Sequence, residues 1–258
     1  MLEYRNRIRL EKIARDCGFE IVVDADGDGL TFASSLVRER LRLETRGDAY
    51  YLKASSPALM DELAMNFLPG KSACRLDGAF VETSSTLALH DVVERVFQLS
   101  MSMPSRPLDA YKAETASLPK TTEAERLVVQ RVGQNIFRDA LDKYWAGKCA
   151  VTGVADRALL RASHVHPWAA CASDEERLDS YNGILLVADL DAAFDAALIS
   201  FDEEGAAMYS KHLTPEGTAA LAAKLDGRRV SFTDRHQVYL QRHRARFQTL
   251  QDEQESTS

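Results

Sequence analysis

The sequence predicts an α+β fold in two parts, with a ββα unit in the second. Short alternating segments and helix-spaced segments follow one another through residues 1–103. A polar, proline-bearing stretch over 104–122 interrupts them and reads as a linker. From residue 123 onward, a long amphipathic helix precedes short apolar segments and a short helix, ordered strand, loop, strand, helix. The first part, 1–103, is an α+β domain of no recognisable type, and the second domain spans 123–258.

In the first part, residues 2–17 carry apolar side chains at helical spacing (Leu2, Ile8, Leu10, Ile13, Ala14), and Gly18 is the stop. Residues 19–23 form a short strand. Residues 37–45 alternate, with Val37, Leu41 and Leu43 on one face and Arg38, Arg40, Arg42 and Glu44 on the other. Residues 50–53 pair with them across the turn Arg46-Gly47-Asp48. Ser56 and Pro57 open a helix that runs to about Phe67: the hydroxyl caps free amides, and proline at the first position sacrifices no bond. Another helix covers 86–99.

In the second part, residues 130–145 form an amphipathic helix with Val132, Ile136, Phe137, Ala140, Leu141 and Tyr144 inward. Residues 148–151 read as a short strand. Residues 159–165 read as a second strand that delivers His164 near its end, where Pro167 stops it. A polar excursion over 169–180 leads to Asn182-Gly183, which turns the chain into the apolar strand 184–187. A short helix follows at 189–197 with Leu190, Phe194 and Ala197 as its stripe.

Composition narrows the function classes. The chain has 258 residues and a net charge of −7, with no basic excess in either half, so it is no general coat for nucleic acid. Any nucleic-acid face must be local. The first candidate is Arg38, Arg40 and Arg42, with an ordinary solvated strand face as the other reading. The second is Arg242 and Arg246, four apart on a helix that also carries Arg235, Arg244, Val238, Leu240 and Phe247 and ends before the acidic residues 252–255. Cys17, Cys74, Cys149 and Cys171 are scattered without a CxxC pair, so neither a disulfide framework nor a structural zinc is expected. There is no apolar run of membrane-spanning length and no apolar leader, and a reducing cytoplasm fits. The run Asp24-Ala25-Asp26-Gly27-Asp28-Gly29 starts like a calcium loop, but Ser35 stands where the bidentate glutamate belongs, so an acidic turn is the better reading.

The chemistry concentrates between residues 160 and 200. Asp191 and Asp195 are four apart on the short helix and so share one face. Two such carboxylates repel unless a cation sits between them, and hard oxygen donors favour magnesium or manganese. Asp189 lies on another face, where it suits the positive helix N-terminus. Asn182 could serve the site or simply turn the chain. His166 shares a side with His164 only if the strand continues past it.

Four ordered motifs carry a resemblance. They are Cys149-Ala150-Val151-Thr152-Gly153, Ala162 to Trp168 (ASHVHPW), Asn182 to Leu186 (NGILL), and Leu190 to Phe201 (LDAAFDAALISF). Together they resemble the HNH endonuclease family over roughly 130–201, at ordered spacing. The resemblance implies a ββα-metal nuclease domain, His164 as general base, Asn182 as the middle asparagine of the catalytic set, and Asp191 and Asp195 as metal ligands. It implies a divalent metal, Mg2+ first and Mn2+ second, DNA as partner, a homodimer for double-strand cleavage, and a role in bacterial restriction or defence. The first part would then recognise a target or sense a signal. Two departures stand out: Ser163 precedes the base histidine where many relatives have a ligand, and aspartate replaces the last histidine. The rival readings are a DNA-binding scaffold without catalysis and a hydrolase of RNA or another phosphodiester.

Overall fold

The computed structural model describes residues 2–68, 71–119 and 121–253. Lys120, from the expected linker, and residues 254–255, from the expected acidic end, lie outside the described residues. The chain forms two compact units, 1–101 and 102–258. No helix among the described residues is long and apolar enough to cross a membrane.

The first unit holds a six-stranded antiparallel sheet of order β1-β2-β3-β4-β6-β5. Its strands are β1 (Ile21–Asp26), β2 (Gly29–Ala33), β3 (Leu41–Arg46), β4 (Ala49–Ala54), β5 (Cys74–Asp77) and β6 (Phe80–Thr83). Register follows side-chain alternation: Leu41 faces Ala54 and Leu43 faces Leu52, and all four are buried. The helices are α1 (Tyr4–Asp16), α2 (Pro57–Glu62) and α3 (Thr86–Ser102), whose last residue crosses the unit boundary. Ser56 caps α2 by accepting the Leu59 amide, as its sequence predicts. The run from Asp24 to Gly29 is the end of β1, a two-residue turn at Gly27-Asp28 and the first residue of β2, with Asp26 paired to Gly29. The hairpin β5–β6 carried too short a pattern to be read in advance.

One expectation needs correction. β3 begins at Leu41, so Arg38 and Arg40 precede the strand and do not line its face with Arg42. Arg42 is itself tied down, donating to Glu44 at 2.5 Å and to Asp26 at 2.5 Å. Alternation in 37–40 mimics a strand, but no partner strand is paired there, and β2 meets β3 only from Leu41 on.

The second unit begins where a linker was expected. Residues 105–115 form a helix, α4 (Ser105–Thr115), with Pro107, Tyr111 and Thr115 buried. Two of the three prolines misled because they fall where no helical hydrogen bond is lost: Pro104 at the N-cap and Pro107 in the first turn. Tyr111 joins Val129, Phe137, Leu141 and Leu178 in one apolar cluster. The long helix α5 (Glu123–Tyr144) starts seven residues earlier than its apolar spacing suggests, because Thr122 and Glu125 form a reciprocal capping box.

Residues 148–151 form turns, not the expected strand. The ββα unit consists of β7 (Leu160–His164), β8 (Gly183–Val187) and α7 (Ala188–Asp195). β7 and β8 pair antiparallel, with His164 opposite Gly183 and Leu160 opposite Val187. A Cβ at Gly183 would lie 2.6 Å from both Leu141 and Phe137, so only glycine lets β8 start this close to α5. The excursion between the strands contains α6 (Asp174–Leu178). A hairpin of β9 (Ile199–Phe201) and β10 (Ala207–Tyr209), then α8 (Pro215–Leu225) and α9 (Asp234–Glu253), complete the unit.

Candidate active site

Side chains alternate along β7, and the alternation divides the site. Ser163 is buried and faces α7, with its hydroxyl 3.5 Å from Asp195 Oδ1. His164 faces the other way, toward α5 and α6. Ser163, the residue flagged as a departure, thus stands where a ligand would. Alternation alone could have assigned it to the aspartates' side.

Asp191 and Asp195 share a face of α7 as their spacing predicts; Asp191 is half-buried and Asp195 is exposed. Burial pushes both carboxyls above the usual carboxylate range. For Asp195 the neighbouring Asp191 charge adds to the push, while Arg246 and Ser163 oppose it. For Asp191 the Ser163 hydroxyl and the Arg161 charge oppose burial. Two carboxylates of raised proton affinity on one helix face, with a hydroxyl beside them, are a donor set that a hard dication fits. Asp189, on the first turn, pairs with Lys224 of α8.

The His164 imidazole stacks on Phe137 with ring centroids 3.7 Å apart and meets Trp168 edge-on at 5.5 Å. Its Nε2 lies 2.9 Å from the Arg177 carbonyl. A carbonyl can only accept, so Nε2 carries the proton and Nδ1 holds the lone pair. Burial pulls the histidine down to about 4, so it is neutral near pH 7.

Asn182 is fully buried and clamps the β7–β8 excursion rather than touching the imidazole. Its Oδ1 accepts the His166 amide at 2.7 Å, and its Nδ2 donates to the carbonyls of Glu176 at 3.0 Å and His166 at 3.2 Å. Those bonds close the loop that carries Arg177, and hence the carbonyl that orients His164. His166 does not extend the strand: β7 ends at His164, and the His166 ring meets the Ala170 carbonyl at 3.1 Å.

Helix α9 supplies a residue that sequence reasoning missed, His243. His243 stacks on Phe194 and donates from Nε2 to the Phe194 carbonyl at 3.0 Å, while Ser200 bonds its Nδ1 at 2.9 Å. Arg246 donates to the Asp195 carbonyl at 2.6 Å. These are the last carbonyls of α7; the Ala197 amide also reaches the Phe194 carbonyl, at 2.9 Å, and the α9 side chains add to that capping of the helix that carries both aspartates. Arg242, expected beside Arg246 on a phosphate face, pairs instead with Glu176 at 3.0 Å. Val238 is exposed, whereas Leu240 and Phe247 are buried. Nothing in the spacing of an arginine-rich helix marks His243.

Next to β7 lies a cleft of about 690 Å³ lined by Asn135, Arg138, Asp139, Arg157, Ala158 and Arg161. Arg161 links it to the aspartates, since its charge acts on Asp191. No curated protein matches the chain. Residues 149–202, from the turn at Cys149 to the residue after β9, match the family model described as HNH endonuclease, and the C-terminal half of this protein carries that domain.

Proposed function

We infer that the protein is a divalent-metal-dependent endonuclease that hydrolyses DNA phosphodiester bonds, with His164 as general base. The observation that carries this reading is the state of His164. It is neutral near pH 7, fixed by Phe137 and the Arg177 carbonyl, and has its lone pair on Nδ1. The Nδ1 atom takes the proton of a water whose oxygen bonds to phosphorus. The bond from phosphorus to the 3′ oxygen breaks, and that oxygen takes a proton from solvent. Asp191 and Asp195 would hold the metal, Mg2+ or Mn2+, with Ser163 beside them, and the ion would supply positive charge against the phosphate and the leaving oxygen. Arg161 and the arginines of the adjoining cleft give the phosphate backbone a local cationic surface on an otherwise acidic chain. Asn182 acts by holding the loop, a positioning role.

A cytoplasmic restriction or defence role fits this chemistry, with the first unit as the element that reads the target and two protomers acting together on duplex DNA. The test is nicking of supercoiled plasmid, modified and unmodified, with magnesium, with manganese and with EDTA, beside single-stranded RNA. Metal-dependent nicking of DNA that His164→Ala loses supports the reading. Absent cleavage points to a binding scaffold, cleavage that persists in EDTA overturns the metal role, and preference for RNA points to the other hydrolase class.

A further inference from the structure

The loop between β7 and β8 gathers a second set of donors apart from the aspartates. A ring nitrogen of His166, the sulfur of Cys171 and a carboxylate oxygen of Glu176 all lie within 4.8 Å of one another. Cys171 is buried, and the other two are half-buried. We propose that His166, Cys171 and Glu176 bind one zinc ion, which fastens the loop beneath His164.

The donor chemistry selects the metal. A thiolate and an imidazole are soft or borderline ligands, which suit zinc and disfavour magnesium. Tetrahedral zinc, with bonds of about 2.0–2.3 Å, sets its ligand atoms roughly 3.3–3.6 Å apart. Side-chain shifts of about an ångström bring the three donors to that spacing. Water takes the fourth position.

The surroundings match those of a metal site. The His166 Nε2 faces the Ala170 carbonyl at 3.1 Å, which fixes its proton there and leaves Nδ1 as the lone-pair donor. Asn182 Nδ2 donates to the Cys171 sulfur at 3.4 Å, an N–H···S bond that favours the thiolate. Glu176 is held by the Ala172 amide at 2.8 Å and by Arg242 at 3.0 Å. Zinc binding releases the Cys171 proton to solvent, with no change of oxidation state. In the free thiol that proton reaches toward the carbonyls of His166 and Pro167, both 3.5 Å from the sulfur.

The consequence is positional. Glu176 precedes Arg177, whose carbonyl accepts the His164 proton. Zinc would hold that carbonyl, and so the imidazole, while taking no part in phosphodiester chemistry. The site stands independently of the nuclease reading, because its test needs no cleavage.

The full-length protein is purified without chelator, and its zinc is measured by elemental analysis. One zinc per chain is expected, retained in Asp195→Asn and lost in Cys171→Ser. Replacing zinc by cobalt(II) should give a thiolate-to-cobalt charge-transfer band that Cys171→Ser abolishes. Glu176→Gln, which keeps the size and the hydrogen bonds of the side chain, covers the case in which the cysteine variant fails to fold. It should weaken zinc affinity by at least the order of 10–100-fold seen when even an outer-shell partner is lost. Wild-type protein without stoichiometric zinc and without the cobalt band overturns the proposal. So does zinc retained in Cys171→Ser, or unchanged affinity in Glu176→Gln.

Discussion

The His243 imidazole lies flat on the Phe194 ring, centroids 3.8 Å apart and planes within 3°, and the same ring donates to the Phe194 carbonyl. A histidine on α9 therefore sets the height and rotation of the α7 turn that ends in Asp195. His243→Ala would leave the Ser200 hydroxyl, itself fully buried, without its partner and open a void beside Phe194. A loss of about 2–4 kcal/mol in urea unfolding is expected, from one orphaned buried polar group plus a cavity. His243→Asn should recover part of it. No change in either variant would remove His243 from the support of α7.

Replacing His164 tests the base directly. His164→Ala should slow single-turnover nicking by about 10²–10⁴-fold while circular dichroism stays that of the wild type. Near wild-type cleavage would take His164 out of the mechanism.

The aspartate pair sets stability against metal binding. Burial raises both carboxyls, and the Asp191 charge raises Asp195 further, so the folded state binds more protons than the unfolded state, and the charged pair destabilises the metal-free fold at neutral pH. Asp195→Asn should raise the melting temperature in EDTA and abolish cleavage. Magnesium should raise the melting temperature of the wild type but not of the Asp191→Asn, Asp195→Asn double variant. Equal magnesium stabilisation of both proteins would place the metal elsewhere.

Three buried histidines predict acid sensitivity. Burial pulls His164 and His243 to about 4 and His236 to about 3, against 6.5 for an ordinary histidine. Between those values the unfolded chain binds more protons, so stability rises with pH. It is complete above about 6.5 and is lost as pH falls toward about 4. The raised carboxyls of Asp179, Asp191 and Asp195 act in the opposite sense above the usual carboxylate range. His236 sits among Tyr144, Trp145, Tyr181 and Phe232. His236→Phe should flatten the pH dependence of urea unfolding between pH 7 and pH 5. An unchanged slope would show that His236 does not contribute.

The unit boundary predicts which fragment folds. A fragment of residues 102–258 keeps Tyr111 against Val129 and Phe137, whereas one starting at 120 strips α4 from that cluster. The longer fragment should be soluble with a cooperative melt and nick DNA without the target preference of the full chain. Retention of that preference would take target reading away from the first unit.

Short-range spacing made the ββα unit and the shared face of its two aspartates legible in advance. His164 ends a strand because apolar alternation stops at Pro167, and Asp191 and Asp195 share a face because a helix repeats every 3.6 residues. Such features depend only on neighbours in the chain, and so does the capping of α2 by Ser56. The linker was misread because proline is a breaker only where it removes a helical bond, and in α4 it removes none. Tertiary structure alone decided the rest. The bonds from His243 to Phe194 and from Arg246 to Asp195 join residues 49 and 51 apart, and pairing at that distance follows no period. Arg42 and Arg242 keep the same charge in any reading, but whether they meet phosphate or carboxylate depends on which side chains the fold packs beside them. The His166, Cys171 and Glu176 donors follow the same rule: their spacing matches no familiar motif, and only a loop closed by the buried Asn182 brings them together.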